Sequence, residues 1–263
     1  LSPDGKQLAV AIRVAGVRQL WIKQLDHGPL SKFTFDSSGS HTPAWTPDGK
    51  SVAFLTSRDS ARVVYLRPAD GSREEQRIWK SPRPLGTLAW SNDGRWLLAS
   101  TVEPLSDIVG LRVGVDTVAT TFVNAPANEQ EPALSPDGRW LAYESDESGV
   151  FEVYVRPLPD TKASRTQVSV HGGLRPHWSA NGRELFYVSG NEMVASPVTS
   201  GATFTHGDER RLFPQPSIRW DFAPGDRFIS VIDGVGRLRS PELVMVENWV
   251  TELRVKLREA ARP

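Results

Sequence analysis

An all-β chain made of repeated four-stranded antiparallel sheets is the fold class this sequence predicts. Three observations carry that reading. A turn tetrapeptide recurs at nearly constant spacing along all 263 residues. Each copy is followed by a short run of apolar, β-branched and aromatic residues. Between copies the apolar residues follow strand patterns rather than a sustained helical period.

The turns come first. Ser2-Pro3-Asp4-Gly5 is repeated as Thr46-Pro47-Asp48-Gly49, Ser91-Asn92-Asp93-Gly94, Ser135-Pro136-Asp137-Gly138 and Ser179-Ala180-Asn181-Gly182, with a degraded sixth copy at 223–226. Their third positions are 4, 48, 93, 137, 181 and 225, a period of about 44 residues, which is the range of propellers and solenoids. Ser or Thr suits the first corner of a type I turn, Pro fixes φ at the second, and Gly at the fourth accepts positive φ. Asp4, Asp48, Asp93, Asp137 and Asn181 are read as structural, their side chains capping nearby backbone N–H groups.

A strand follows each turn: Gln7 to Ile12, Ser51 to Leu55, Trp96 to Ala99, Trp140 to Tyr143, Glu184 to Val188 and Arg227 to Ile232. Their nearly continuous apolar character means that both faces are covered. A second strand comes about ten residues later, as in Val63-Val64-Tyr65-Leu66 and Glu152-Val153-Tyr154-Val155. A more polar outer strand comes next, as in Ser31-Lys32-Phe33-Thr34 and Thr166-Gln167-Val168-Ser169. A short segment ending in Trp45, Trp90 or Trp178 then leads into the next turn. Four strands per repeat make one propeller blade, so six repeats predict a six-bladed β-propeller over 1–247.

The ends are atypical. The first repeat starts at its turn, without the inner strand that precedes the others. The last has strand candidates near 217–223, 227–233 and 241–247, and then 248–263 reads as a short C-terminal helix and tail, with Asn248 as cap and Trp249, Leu253 and Leu257 on one face. A chain beginning at Leu1 rather than Met reads as part of a longer one. Roughly 15–20 upstream residues are expected to supply the strands missing at the seam, given usual strand lengths.

Composition narrows the function. Thirty-one Lys and Arg balance 31 Asp and Glu, which argues against nucleic-acid binding through a basic surface. With no cysteine there is no disulfide framework, thiolate metal site or Cys nucleophile. No run of 18 apolar residues occurs, so no membrane contact is expected from this stretch of chain. GxSxG, HExxH, the P-loop, an EF-hand loop and the kinase signatures are all absent, so no catalytic residue, metal or cofactor is expected.

The candidate site is the channel mouth, where the inner strands begin. Alignment on the Trp positions places Thr42, Thr87, Glu131, Arg175 and Arg219 in one ring, with His177 and Asp221 two residues further on and His41 and Glu129 slightly outside. Convergent polar groups at a concave mouth suit a protein or peptide partner, or a small ligand. The alternative is that these charges pair with one another across a wet channel.

Certain blocks carry a family resemblance. Gly172-Gly173-Leu174-Arg175-Pro176-His177-Trp178, running on to Glu184-Leu185-Phe186-Tyr187, is one; Pro241-Glu242-Leu243-Val244-Met245-Val246-Glu247-Asn248-Trp249 is another. With the repeated turn, they resemble the TolB-type propeller and the C-terminal extracytoplasmic propeller of bacterial membrane-tethered serine/threonine kinases. The inverted Gly225-Asp226 departs from the pattern at the sixth turn. The resemblance implies a monomeric, non-catalytic sensor or scaffold domain in the periplasm or another extracytoplasmic space. Two alternatives are a channel-based metal-dependent hydrolase or lactonase, and the N-terminal gating propeller of a prolyl-oligopeptidase-like enzyme.

Overall fold

In the computed structural model the tight turns close as their chemistry dictates. The structure describes residues 1–214, 220–223, 227–232 and 242–246. In each of the first five turns the Gly N–H donates to the carbonyl of the first corner, at 2.8–2.9 Å. Each of these glycines has φ between 66° and 71°, a region where a Cβ would be strained. The hydroxyl of the first corner donates to the third-position side chain, from Ser2 to Asp4 at 2.6 Å and from Ser179 to Asn181 at 2.8 Å, and the same pair recurs in the three turns between. That acceptor also takes the N–H of the following basic residue, Lys6, Lys50, Arg95, Arg139 or Arg183. These donors hold the carboxyls of Asp4, Asp48 and Asp93 below their ordinary value, the hydroxyl contributing most.

The turns join strands into six antiparallel sheets among the described residues. Sheet 1 holds β1 (Gln7–Val14), β2 (Val17–Gln24) and β3 (Leu30–Lys32). Sheet 2 holds β4 (Ser40–Trp45), β5 (Ser51–Thr56), β6 (Val63–Pro68) and β7 (Gln76–Lys80). Sheet 3 holds β8 (Leu85–Trp90), β9 (Trp96–Thr101), β10 (Ile108–Arg112) and β11 (Thr120–Val123). Sheet 4 holds β12 (Glu129–Leu134), β13 (Trp140–Ser145), β14 (Glu152–Pro157) and β15 (Thr166–Gln167). Sheet 5 holds β16 (Leu174–Trp178), β17 (Glu184–Ser189), β18 (Glu192–Ser200), β19 (Phe204–His206) and β20 (Arg210–Pro214). Sheet 6 holds β21 (Trp220–Ala223), β22 (Arg227–Ile232) and β23 (Glu242–Val246). A single 3-10 turn at Ser57–Asp59 is the only helical element among the described residues. The expected helix over 248–263 lies outside them.

Two details differ from the sequence expectation. In sheet 5 the outer position is shared, because the nine residues of β18 pair with β19 over one half and with β20 over the other. The outer strands of sheets 1 and 4 are shorter than expected, ending at Lys32 and Gln167. Beyond them a hydroxyl takes over the role of the ladder carbonyl: Thr34 Oγ1 accepts the Leu20 N–H at 2.9 Å, and Ser169 Oγ accepts that of Val153 at 2.8 Å.

The core explains the continuous apolar runs. Successive residues of the second strand of a blade point to opposite faces. In β5, Val52 and Phe54 pack toward sheet 1 with Leu20 and Phe33, while Ala53 and Leu55 pack toward sheet 3 with Leu97 and Ala99. In β13, Leu141 and Tyr143 join Leu98 and Ile108 of sheet 3, while Ala142 joins Leu185 and Tyr187 of sheet 5. Each boundary between consecutive sheets thus has its own apolar cluster, the fifth formed by Phe186, Val188 and Met193 against Trp220. Sheets stacked face to face in chain order, with β1, β4, β8, β12 and β16 side by side, are the arrangement of a propeller. Strand direction puts the connections into β4, β8, β12 and β16, together with those between second and third strands, on one face. The tight turns lie on the other. These are called here the loop face and the turn face.

Candidate functional site

The inner strands do not pair evenly. β4, β8, β12 and β16 each slip register against the next strand at the same level, between His41 and Ala44, Leu85 and Leu88, Gln130 and Ala133, and Leu174 and His177. Bulges of this kind bend a strand and re-aim a side chain. In three of the four, the bulge residue is left-handed without being glycine: Thr42 at φ 55°, Glu131 at φ 50° and Arg175 at φ 53°. Pro43, Pro132 and Pro176 follow them and donate no N–H to the ladder. Thr87 occupies the same register in β8 without the positive φ, its N–H donating to Ser100 Oγ at 3.1 Å.

Side chains at this level tie neighbouring sheets together. Thr42 Oγ1 donates to the Gly86 carbonyl at 3.1 Å and contacts His41 Nδ1 at 3.0 Å. Arg175 Nη2 lies 3.2 Å from Glu131 Oε1, with both side chains partly exposed. The Arg175 N–H, displaced by the bulge, donates to Glu144 Oε2 at 2.7 Å across the boundary between sheets 4 and 5. Glu144 is buried, and sequence reasoning passed over it because the apolar run read as this strand stops at Tyr143, one residue before it. Its signal was there: the corresponding positions of the other second strands are Ala11, Leu55, Ser100, Val188 and Ile232, so a carboxyl here is the exception.

Burial sets the protonation of this group. It pushes Glu144 up to about 7, opposed by the Arg175 N–H and reinforced by the charge of Glu131. Glu131 is also raised by burial, with Arg175 opposing. His41 is lowered by burial and then by Arg18. His177 is lowered by burial, with Asp221 opposing, and its ring meets Trp220 edge-on at 5.6 Å. The Asp221 carboxylate contacts the Leu1 nitrogen, which sets the first turn beside β21.

The structure therefore brings Thr42, Glu131, Arg175, His177 and Asp221 to the inner strands at related levels, with His41 next to Thr42. Glu129 goes elsewhere. It is 1% exposed, with one oxygen accepting the Ala125 N–H at 3.2 Å and the other without a hydrogen-bond partner. Burial, with Asp107 and Glu147 nearby, raises it to about 7. Arg219 lies outside the described residues. Among the described residues no group of three or more His, Asp or Glu is arranged to hold a metal, and no helix is long and apolar enough to cross a membrane.

A cavity of about 400 Å³ lies on the turn face between sheets 3 and 4, with Trp96, Phe122 and Leu158 as its apolar wall and the turns at 91–94 and 135–138 as its rim.

No family model matches the chain. It is 29% identical over 161 residues to the uncharacterized peptidase YuxL of Bacillus subtilis, which takes in 59% of this chain and 23% of that protein. It is 22% identical over 249 residues to dipeptidyl-peptidase 5 of Porphyromonas endodontalis, covering 72% and 36%. To a TolB homolog of Chlorobium luteolum it is 26% identical over 156 residues, covering 59% and 35%. The chain thus spans only a part of each of these proteins. Among solved structures, TolB from Acinetobacter baumannii superposes with a TM-score of 0.68 at 17% identity over 87% of this chain and 58% of that one. The putative TolB from Agrobacterium tumefaciens gives 0.59 at 18% identity, over 77% and 73%. The repeated turns, the stacked antiparallel sheets and these superpositions agree: in fold, the chain is a TolB-like β-propeller.

Proposed function

We propose that this chain is a six-bladed, non-catalytic binding propeller, part of a larger bacterial signalling protein, whose loop-face mouth recognises a protein, a peptide or a small ligand. One observation carries the reading: three inner strands hold a non-glycine residue in left-handed backbone at the same level. Each such residue costs about 1–3 kcal/mol, and strain of that kind collects at ligand-binding and switch positions. Two of these strained residues, Glu131 and Arg175, present partly exposed charges held by a pair and by Glu144. The parent suggested by the sequence resemblance is a membrane-tethered serine/threonine kinase with the propeller outside the cytoplasm.

The test is selection of binders from a random-peptide display library on the wild-type protein. Arg175→Ala and Glu131→Ala are expected to weaken most selected peptides at least about tenfold, a loss of about 1.4 kcal/mol. Peptides that bind both variants like wild type would show that the mouth is not the site. Stoichiometric calcium or zinc in purified protein would favour the metal-dependent hydrolase or lactonase instead.

A second reading rests on the names of two relatives, a peptidase and a dipeptidyl-peptidase. It makes this chain the gating propeller of a peptidase-like enzyme, with the mouth passing peptides to a separate catalytic unit. Peptidase activity of the native full-length protein, lost on active-site serine labelling, would select it.

A further inference from the structure

The repeat itself shows what is missing at one boundary. The inner strands β4, β8 and β16 end in Trp45, Trp90 and Trp178, and each ring packs into the apolar cluster shared with the preceding sheet. In β12 that place is taken by Leu134. Between sheets 4 and 5, Trp140 and Trp178 both pack on Phe204, with ring centroids 5.4 and 6.0 Å away, and Trp178 Nε1 donates to the Ala133 carbonyl at 3.1 Å. Between sheets 3 and 4, Trp96 holds the position of Trp140 in its own repeat and meets Phe122 edge-on at 5.2 Å. Leu134 supplies no third ring.

A second departure falls at the same boundary. Pro3, Pro47 and Pro136 each cover the glycine of the following turn: a Cβ on Gly49, Gly94 or Gly182 would lie 3.6, 4.0 or 3.5 Å from the proline Cδ. The third turn has Asn92 in place of proline, and a Cβ on Gly138 would meet nothing within 4 Å. Leucine for tryptophan and asparagine for proline together leave the cavity of about 400 Å³ on the turn face, walled by Trp96, Phe122, Leu98, Leu134 and Leu158. Interiors leave few voids larger than a water, and this one falls in the range of ligand pockets, about 300–1,000 Å³. The charges on its rim are balanced, Arg95 beside Asp93 and Arg139 beside Asp137, so shape and apolarity rather than charge select an occupant.

The apolar surface continues outside the cavity. Arg112 lies over the Trp96 ring at 5.6 Å and ends β10. The connection that follows carries Val115 and Val118, the most exposed large hydrophobic residues among those described, at 69% and 78%.

We propose that this slot takes an aromatic side chain, tryptophan above all, from a segment of a partner protein, in the place that other boundaries fill with their own tryptophan. Val115 and Val118 offer an apolar surface to the residues flanking that side chain, which a free small molecule would not use. Tryptophan is also among the side chains that most often anchor an interface in a pocket. The slot lies on the turn face, away from the mouth, so the inference does not depend on what the mouth binds.

Titration followed by indole N–H NMR signals tests it, with free indole, N-acetyltryptophanamide and an acetylated peptide whose central tryptophan is flanked by valines. All three are expected to shift the Trp96 signal, identified through Trp96→Phe, and the peptide to bind at least about tenfold more tightly than indole. Leu134→Trp restores the residue of the other repeats; by filling the cavity it should raise the unfolding midpoint and weaken every probe at least about tenfold. Leu134→Phe, a smaller filling that keeps the test open if the larger ring does not fit, should weaken them less. The double variant Val115→Ser, Val118→Ser should weaken the peptide and leave indole unchanged. A Trp96 signal that no probe moves overturns the proposal, as do filled variants that bind like wild type. Indole binding with the peptide excluded overturns the assignment to a partner protein, and N-acetylleucinamide binding as well as N-acetyltryptophanamide overturns the aromatic preference.

Discussion

Glu144 shows how one side chain fixes local backbone. The bulge at Arg175 turns an N–H out of the ladder, and an unsatisfied buried donor costs about 1–3 kcal/mol. Glu144→Ala is therefore expected to destabilise by roughly that amount in urea unfolding, and Glu144→Gln, which keeps an acceptor, by less. The group also links stability to pH. Glu144 and Glu129 titrate at about 7 in the folded chain against an ordinary 4.5, so the folded state holds their protons more tightly. Their contribution is complete below the unfolded value and is lost as pH rises through about 7. The turn carboxyls act in the opposite sense, being lowered in the fold and losing their contribution on acidification below 3.8. Unfolding midpoints measured across pH should fall from pH 5 to pH 8, and the double variant Glu129→Gln, Glu144→Gln should flatten that slope. These carboxyls escaped a sequence reading because burial is decided by the neighbouring sheet. The bulges left only a local trace in Pro43, Pro132 and Pro176. The equivalence of Thr42, Glu131 and Arg175 was legible from the repeat, but their left-handed backbone was not.

At the scale of the element, the turn was readable because its chemistry is local. Hydroxyl, carboxyl, N–H and positive-φ glycine lie within six residues, and their spacing in the sequence is their spacing in space. Asp137→Ala removes the acceptor for both Ser135 Oγ and the Arg139 N–H and should cost about 0.5–2 kcal/mol, the range of a lost capping side chain. Asp137→Asn should cost much less, since the fifth turn works with Asn181. Thermal melts of the two variants check this. The outer strands were the least legible elements. Their ends are set by Thr34 and Ser169, hydroxyls that substitute for a carbonyl, and the split outer edge of sheet 5 depends on the length of β18.

At the scale of the molecule, the apolar clusters of the described residues form between consecutive sheets, so stability is built from neighbour contacts. Leu55 and Leu141 are fully buried in different clusters. Leu55→Ala and Leu141→Ala are each expected to cost about 2–5 kcal/mol. The double variant should show the sum within about 0.5 kcal/mol, as for sites without shared partners. Urea denaturation of the three variants measures it, and strong coupling would mean that the sheets communicate beyond their neighbours. All-β class, antiparallel order and the four-strand repeat could be read from the sequence, because covered strands must be apolar on both faces. Ion pairs between connections, such as Arg83 with Asp107, could not, since their partners lie on different strand connections far apart in sequence.

The turn has a further consequence, felt before the fold exists. Every glycine of the first five copies is followed by a cation, Lys6, Lys50, Arg95, Arg139 or Arg183, and Arg227 stands at the same place in the sixth. Behind each comes a segment such as Val52-Ala53-Phe54-Leu55, with the sequence character of chains that stack into cross-β aggregates. In the native ring these five cations are exposed, and the side-chain pairs two of them make with their own turn carboxylates, Arg95 with Asp93 and Arg139 with Asp137, contribute little. In the nascent or unfolded chain a charge and usually a proline stand at the head of each sticky segment, acting as gatekeepers. Replacing Lys50, Arg95, Arg139 and Arg183 with Gln should leave the unfolding midpoint almost unchanged while sharply lowering the yield of soluble protein on dilution from denaturant.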